Sequence, residues 1–184
     1  MAYGSVDSRF VIFPAGPADA EGLGRVHVQS WRETYRGLLP DAYLARMSEE
    51  AHARRFGHAL TRPGADDVTL AAADRWSHVG YVQGGPSRRR VPGEAEVATL
   101  YVVRPAQNRG LGARLLGDTA RALAVRGARS LVISVLRDNF AARGFYEHLG
   151  GVAEAAREEP GPGGGRFWEV AYVWRDIGAL TSLP

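Results

Sequence analysis

Between Val97 and Leu123 a β-prone run, a glycine-bearing turn and a helical pattern follow one another without interruption, and this succession restricts the chain more than any other stretch. Val97-Ala98-Thr99-Leu100-Tyr101-Val102-Val103 is apolar and rich in strand formers, and Pro105, which has no N–H to give a ladder, ends it. Gln107-Asn108-Arg109-Gly110-Leu111-Gly112 supplies a tight turn. Gly112, Leu115, Leu116, Thr119, Ala120 and Leu123 then recur at helical spacing, and Gly127 follows as a left-handed cap, which predicts a helix of roughly four turns. Strand, glycine loop and helix in that order aim several backbone N–H groups and the positive end of a helix dipole at one point, where a phosphate group is favoured. Gly110 and Gly112 let an anion approach the main chain, and Arg109 or Arg114 could add charge-assisted bonds. On these residues alone, a plain βα turn whose glycines serve packing is the competing explanation.

Leu131-Val132-Ile133-Ser134-Val135-Leu136 predicts a second buried strand, after which Asp138-Asn139 opens a helix running through Phe145 and Tyr146 to Leu149. Asn139 and Tyr146 are seven apart, which places them on one helix face. Asn139 is equally suited to be a helix cap and Tyr146 to be a core residue with a bonded hydroxyl.

Two stretches together resemble the GNAT superfamily of N-acetyltransferases. Gln107 to Gly112 stands where that family has Gln/Arg-x-x-Gly-x-Gly/Ala, after a Leu-Tyr-Val-x-x-Pro pattern at Leu100 to Pro105; Asn139, Ala142, Phe145, Tyr146, Leu149 and Gly150 match Asn-x-x-Ala-x-x-Phe-Tyr with a later Leu-Gly. The resemblance is close over roughly residues 76 to 152 and looser at Ser30 to Gly37. One departure is Gly151, where the family usually has an aromatic residue.

The resemblance implies an α/β (α+β) fold with a mixed, mostly antiparallel sheet of six to seven strands, splayed at its centre and flanked by about four helices. It further implies acetyl-coenzyme A as co-substrate, lying in the splay. Val102 and Val103 would offer backbone groups to the pantetheine arm, Gln107, Asn108, Arg109, Gly110, Leu111, Gly112 and Ala113 would meet the pyrophosphate, and Asn139 would bond the arm. Trp31 and Tyr35, four apart on a helix face, would line the pocket of a small-molecule or protein amine acceptor. Glu96 would be the base that frees the attacking amine, with Glu94 in reserve, and Tyr146 would give a proton to the departing thiolate. Dimers are common in such families, so a homodimer is an expected possibility. A non-catalytic domain of the same fold, binding coenzyme A or a nucleotide for regulation, is the alternative function.

The 184 residues suit one domain, with a core about 9–176, long enough to bury about 70% of its unfolded surface. Cysteine is absent, which removes disulfides, thiolate nucleophiles and cysteine metal sites. Lysine is absent too, which excludes a Walker A loop and Schiff-base chemistry. A net charge of +3 is too small to argue for nucleic acid and none is expected as a partner, although a pI near 9.6 leaves a polyanion open; no apolar run approaches a membrane span or a secretory leader, and a cytoplasmic protein is expected.

Elsewhere, residues 10–13 predict a first strand and Asp19 or the residue before it starts a helix carrying His27, read as structural because no metal-ligand spacing accompanies it; no metal is expected. Residues 41–60 predict one or two short helices. Residues 68–72 and 77–82 predict a hairpin around Asp74-Arg75, and residues 167–174 a final strand pairing antiparallel with the one before the glycine-rich loop at 160–165. The triplet Arg88-Arg89-Arg90 is a solvated loop, or it meets a coenzyme phosphate or an acidic acceptor.

Overall fold

Three successive segments, each with a run of consecutive buried side chains, make the first half of one sheet. In a computed structural model that describes residues 9–89, 91 and 93–183, β2 (Val68–Ala73), β3 (His78–Pro86) and β4 (Glu94–Val102) form an antiparallel meander, with β1 (Val11–Pro14) antiparallel to β2 at its outer edge. The β2–β3 turn closes on Asp74, whose Oδ1 accepts the N–H groups of Trp76 and Ser77 at 2.8 Å each, a side chain mimicking a turn carbonyl. β5 (Ser130–Leu136) adds parallel to β4, and β8 (Arg166–Trp174) adds antiparallel to β5. Two short pieces, β6 (Val152–Ala153) and β7 (Arg157–Pro160), both pair antiparallel with β8. Among the described residues the sheet therefore has eight strands where six or seven are expected. The excess comes from these two fragments, which read as a single strand in the sequence.

Among the described residues six α-helices flank it: α1 (Ala20–Thr34), α2 (Asp41–Ala45), α3 (Glu49–Thr61), α4 (Leu111–Val125), α5 (Phe140–His148) and α6 (Gly178–Thr181). The two beyond the expected four are single short turns, α2 and α6. α4 buries Leu111, Leu115, Leu116, Ala120 and Leu123 against the sheet. Each buried leucine stabilises the fold by about 1.5–3 kcal/mol. No helix among the described residues is long and apolar enough to cross a membrane.

Two features of strand pairing shape the centre. β4 and β5 stay in register only from Glu94↔Ser130 to Val97↔Ile133, while β4 continues along β3 to Val102 and β5 continues along β8 to Leu136. The two strands part, and a wedge opens between them. Beside that point β4 carries a bulge: Gly84 pairs with Val97 but Gln83 pairs with Thr99, so Ala98 is the extra residue. A bulge residue reverses side-chain parity. Glu96 and Tyr101, which strict alternation would put on opposite faces, consequently share the face covered by α1 and α3.

His27 lies under that face, stacked on His52 at 4.2 Å and with Nδ1 2.6 Å from the Tyr81 hydroxyl. Burial, with the nearby His52 and Arg55 charges adding to it, lowers its pKa to about 3. The unfolded chain then binds a proton at this site below about pH 6.5 that the folded chain refuses, so stability present above that pH is lost as pH falls toward 3. By pH 4.5 the loss from this site is ~2–3 kcal/mol. Urea unfolding at pH 7.0 and 4.5 checks it, and His27→Gln is expected to flatten the difference.

Candidate active site

The wedge between β4 and β5 ends at the N-terminus of α4. β4 runs through a 3₁₀ turn (Arg104–Ala106) into a loop with two left-handed residues, Asn108 at φ 57° and Gly110 at φ 76°. Asparagine and glycine are the residues that take this conformation at least cost. Gly110 is the N-cap and no side chain caps the helix. The first helical bond is Arg114 N–H to Gly110 O at 3.1 Å. Among the described residues, the amides of Gly110, Leu111, Gly112 and Ala113 meet no acceptor. They sit at the positive end of a fifteen-residue helix, which is an anion site by construction. Leu111, 1% exposed, anchors the turn in the core. A Cβ on Gly112 would lie 3.2 Å from the Phe145 ring, so glycine brings α5 against the loop.

Gln107 differs from expectation. Its N–H donates to Arg104 O and its side-chain amide to Val102 O at 2.8 Å, so its backbone amide is spent and its side chain braces the loop against the strand end. Arg114 donates to the Phe10 carbonyl at 3.3 Å, and Arg109 is also engaged.

Val103 is a second correction. Its N–H is spent on Val79 O at 2.9 Å, which turns it toward β3. Successive backbone groups in a strand point to opposite sides, so Val102 and Leu100 present theirs to the wedge.

α5 forms the other wall. Asn139, 8% exposed, is its N-cap, its Oδ1 accepting from Ala142 N–H at 3.2 Å. Its carboxamide NH₂ has no acceptor among the described residues. The Tyr146 ring is held by Phe145, Tyr172 and Trp174 at centroid distances of 5.3, 5.7 and 6.2 Å. Its hydroxyl has no partner among the described residues. Burial raises its pKa and the neighbouring Tyr35 adds to the shift, so the phenol stays protonated. The glycine at 151 has a spatial cause: a Cβ there would come within 2.8 Å of the Trp174 ring. Trp174, whose Nε1 donates to Leu149 O at 2.8 Å, fills that space from the last strand.

Trp31 gathers with Tyr35, Tyr43 and Tyr101 in an aromatic cluster, of which Trp31, Tyr35 and Tyr43, like Leu136 and Phe167, pack against buried Val28, Leu39, Leu44 and Met47. The Tyr35 and Tyr101 hydroxyls are 2.9 Å apart, 66 residues distant in sequence. The indole N–H of Trp31 is buried without a partner among the described residues.

Glu96 is already committed. It is 7% exposed, and Arg88 binds it through the backbone N–H and Nε at 3.0 Å and through Nη2 as well. Burial alone would raise its pKa, but the hydrogen bonds and charge of Arg88 outweigh that and leave it lowered. Glu94 accepts from Ser87 Oγ at 2.8 Å and pairs with Arg89 at 3.3 Å, and Arg89 also holds Glu154. Two members of the arginine triplet thus bind carboxylates of the protein, and Arg90 lies outside the described residues.

Glu96 and Arg88 help line a cavity of about 450 Å³ on the α1 face, with Val132 and Ser134 of β5, Glu169 and Ala171 of β8, and Glu154, Arg157 and Glu159 beside them. Glu169 went unnoticed in the sequence. The sequence shows it only as one position of the final strand, and nothing local tells that β8 lies next to the wedge. Among the described residues no group of three or more histidines and carboxylates is arranged to hold a metal.

Comparison with known proteins agrees with this architecture. Residues 28–151 match the model of the Acetyltransferase (GNAT) family. An uncharacterized N-acetyltransferase, YuaI of Bacillus subtilis, is 28% identical over 166 residues, covering 90% of this chain and 92% of that protein. PaiA N-acetyltransferase from Thermoplasma acidophilum, solved in complex with coenzyme A, superposes with a TM-score of 0.69 at 19% identity, over 90% of this chain and 99% of that one. YncA from Salmonella typhimurium, a putative acetyltransferase solved with its cofactor acetyl-CoA, gives 0.68 at 18% identity over 92% and 95%. At these identities the two structures speak for the fold.

Proposed function

The chain belongs to the Acetyltransferase (GNAT) family, and from that premise we propose that it moves the acetyl group of acetyl-coenzyme A to a primary amine by direct attack. The observation that carries this is the continuity of the β4–β5 wedge with the bare amides of α4. The wedge leaves the main-chain groups of Leu100 and the N–H of Val102, whose carbonyl Gln107 already holds, for the amides of a pantetheine arm, which pairs as a peptide would at a sheet edge. The helix N-terminus then takes the diphosphate at the arm's far end, and the Asn139 carboxamide is free to bond the arm. Complexes of coenzyme A with PaiA and of acetyl-CoA with YncA support this choice of ligand.

The chemistry follows from protonation. An alkylamine of pKa near 10.4 reaches the site as ammonium and must lose a proton before its nitrogen lone pair can attack. That proton falls to a carboxylate of the 450 Å³ cavity, where Glu96 and Glu169 both stand. The amine adds to the thioester carbonyl, the C–S bond breaks, and the Tyr146 hydroxyl donates a hydrogen bond to the leaving sulfur. Alignment of amine and thioester supplies much of the acceleration.

Calorimetry with coenzyme A and with NAD tests the binding step; coenzyme A is expected to bind and NAD not. Thiol release from acetyl-coenzyme A across a panel of primary amines tests the transfer. Absence of coenzyme A binding would overturn the proposal.

A further inference from the structure

We propose that Glu169, on the last strand, is the carboxylate that binds the acceptor's ammonium group and takes its proton, while Glu96 serves to hold Arg88 and the loop before β4 in place. The inference rests on the transferase reading of the site. It starts from position: Glu169 pairs with Leu136 across β8 and β5, beyond the point where β5 has left β4. Direct cross-strand partners share a sheet face. By that rule Glu169 shares a face with Leu136, with Ser134 through its partner Ala171, and with Glu96 through Val132 and Val173. It lines the same cavity as Glu96 and Ser134.

Its surroundings differ from those of every other carboxylate there. Glu96 is held by Arg88 and Glu154 by Arg89, whereas the Glu169 carboxylate has no hydrogen bond or ion pair among the described residues. Arg157 stands opposite it in register on β7 but forms no ion pair with it. Glu169 is half-buried, against an exposed Glu159. The groups that face it are Glu96 from β4, Arg88 from the preceding loop, Arg157 and Glu159 from β7, and Tyr35 at the end of α1. Burial first, then the charges of Glu159 and Glu96, raise its pKa, with Arg88 opposing. A proton acceptor works best when its pKa approaches the working pH; Glu96, with its pKa depressed by Arg88, moves the wrong way.

The proton count closes. R–NH₃⁺ gives one proton to Glu169, the neutral nitrogen forms the C–N bond, and the C–S bond breaks to release the thiolate. The second nitrogen proton passes to sulfur by way of the Tyr146 hydroxyl, and Glu169 returns its proton to water.

The test uses full-length protein labelled with ¹³C at glutamate carboxyls, saturated with coenzyme A and titrated with butylammonium chloride; Glu169→Gln and Glu96→Gln assign the two resonances. A saturable shift at Glu169 that tetramethylammonium chloride does not reproduce is expected. With any amine that supports thiol release, Glu169→Gln is expected to lower kcat about 100-fold and remove the acidic limb of its pH profile, with the Kd for coenzyme A changed less than twofold. A butylammonium shift confined to Glu96, a shift at neither residue, or an unaltered acidic limb in Glu169→Gln would each overturn the assignment. Failure of the wild-type protein to bind coenzyme A would strike the transferase reading instead, and the butylammonium titration alone would then decide on Glu169.

Discussion

Gly112→Asp is expected to raise the Kd for coenzyme A by about 100-fold or more while leaving the protein folded. Gly112 is the second residue of α4, and its N–H is one of four uncommitted amides at the helix start. A carboxylate there competes for those amides and faces the diphosphate with like charge. Two unit charges about 4 Å apart at an effective dielectric constant near 20 repel by ~4 kcal/mol, and about 2.7 kcal/mol already makes 100-fold. The same carboxylate is favourable for the helix itself, because an acid in the first turn complements the dipole. The new Cβ would sit 3.2 Å from the Phe145 ring, a contact met by a shift of a few tenths of an ångström in a half-buried side chain. Gly112→Ala carries the same contact without charge and is expected to weaken binding only a few-fold. Calorimetry on both variants with thermal melts decides the matter. Equal losses in the two would reduce the effect to sterics, and unchanged affinity in Gly112→Asp would remove the diphosphate from this corner.

The fold was legible because its decisive signals are local. The β-run to Val103, the left-handed glycine at 110 and the periodic leucines of α4 all lie within about thirty residues, and local geometry follows from local residue type. Gly110 occupies the positive-φ position that such a turn requires. What stayed hidden depends on residues that meet across the chain. The bulge at Ala98 has no composition of its own, yet it sets which side chains accompany Glu96. Arg88 binds Glu96 from a loop eight residues earlier, where a charge run reads as solvated surface. Val103 and Gln107 carry the right residue types at the right spacing, and only the direction of their amides, set by β3 and by the 3₁₀ turn, withdraws them from the wedge. Glu169 is the extreme case: its significance comes wholly from β8 lying beside a strand that has parted from its neighbour.

Tyr146→Phe is expected to lower kcat by about 100-fold with the Kd for coenzyme A changed less than twofold. The variant keeps the ring that packs on Phe145, Tyr172 and Trp174 and removes one oxygen. That oxygen has no partner among the described residues, so no hydrogen bond within the protein is broken and stability should hold or rise slightly. Its chemical role is narrower than that of a simple acid. Burial and the neighbouring Tyr35 raise the phenol above its ordinary pKa of 10, whereas a thiol of this type lies near 8.5. Outright proton transfer from phenol to thiolate would run uphill by at least ~2 kcal/mol. The protonated hydroxyl instead holds the charge growing on sulfur with a hydrogen bond and relays to it the proton leaving nitrogen. Loss of a single donor of this kind from a water-poor site costs about 10²–10³ in rate. Single-turnover kinetics with saturating acetyl-coenzyme A separates the steps: a slow chemical step with unchanged binding is the expected result, and a raised Kd with unchanged turnover would make Tyr146 a wall of the cofactor site with no part in bond cleavage.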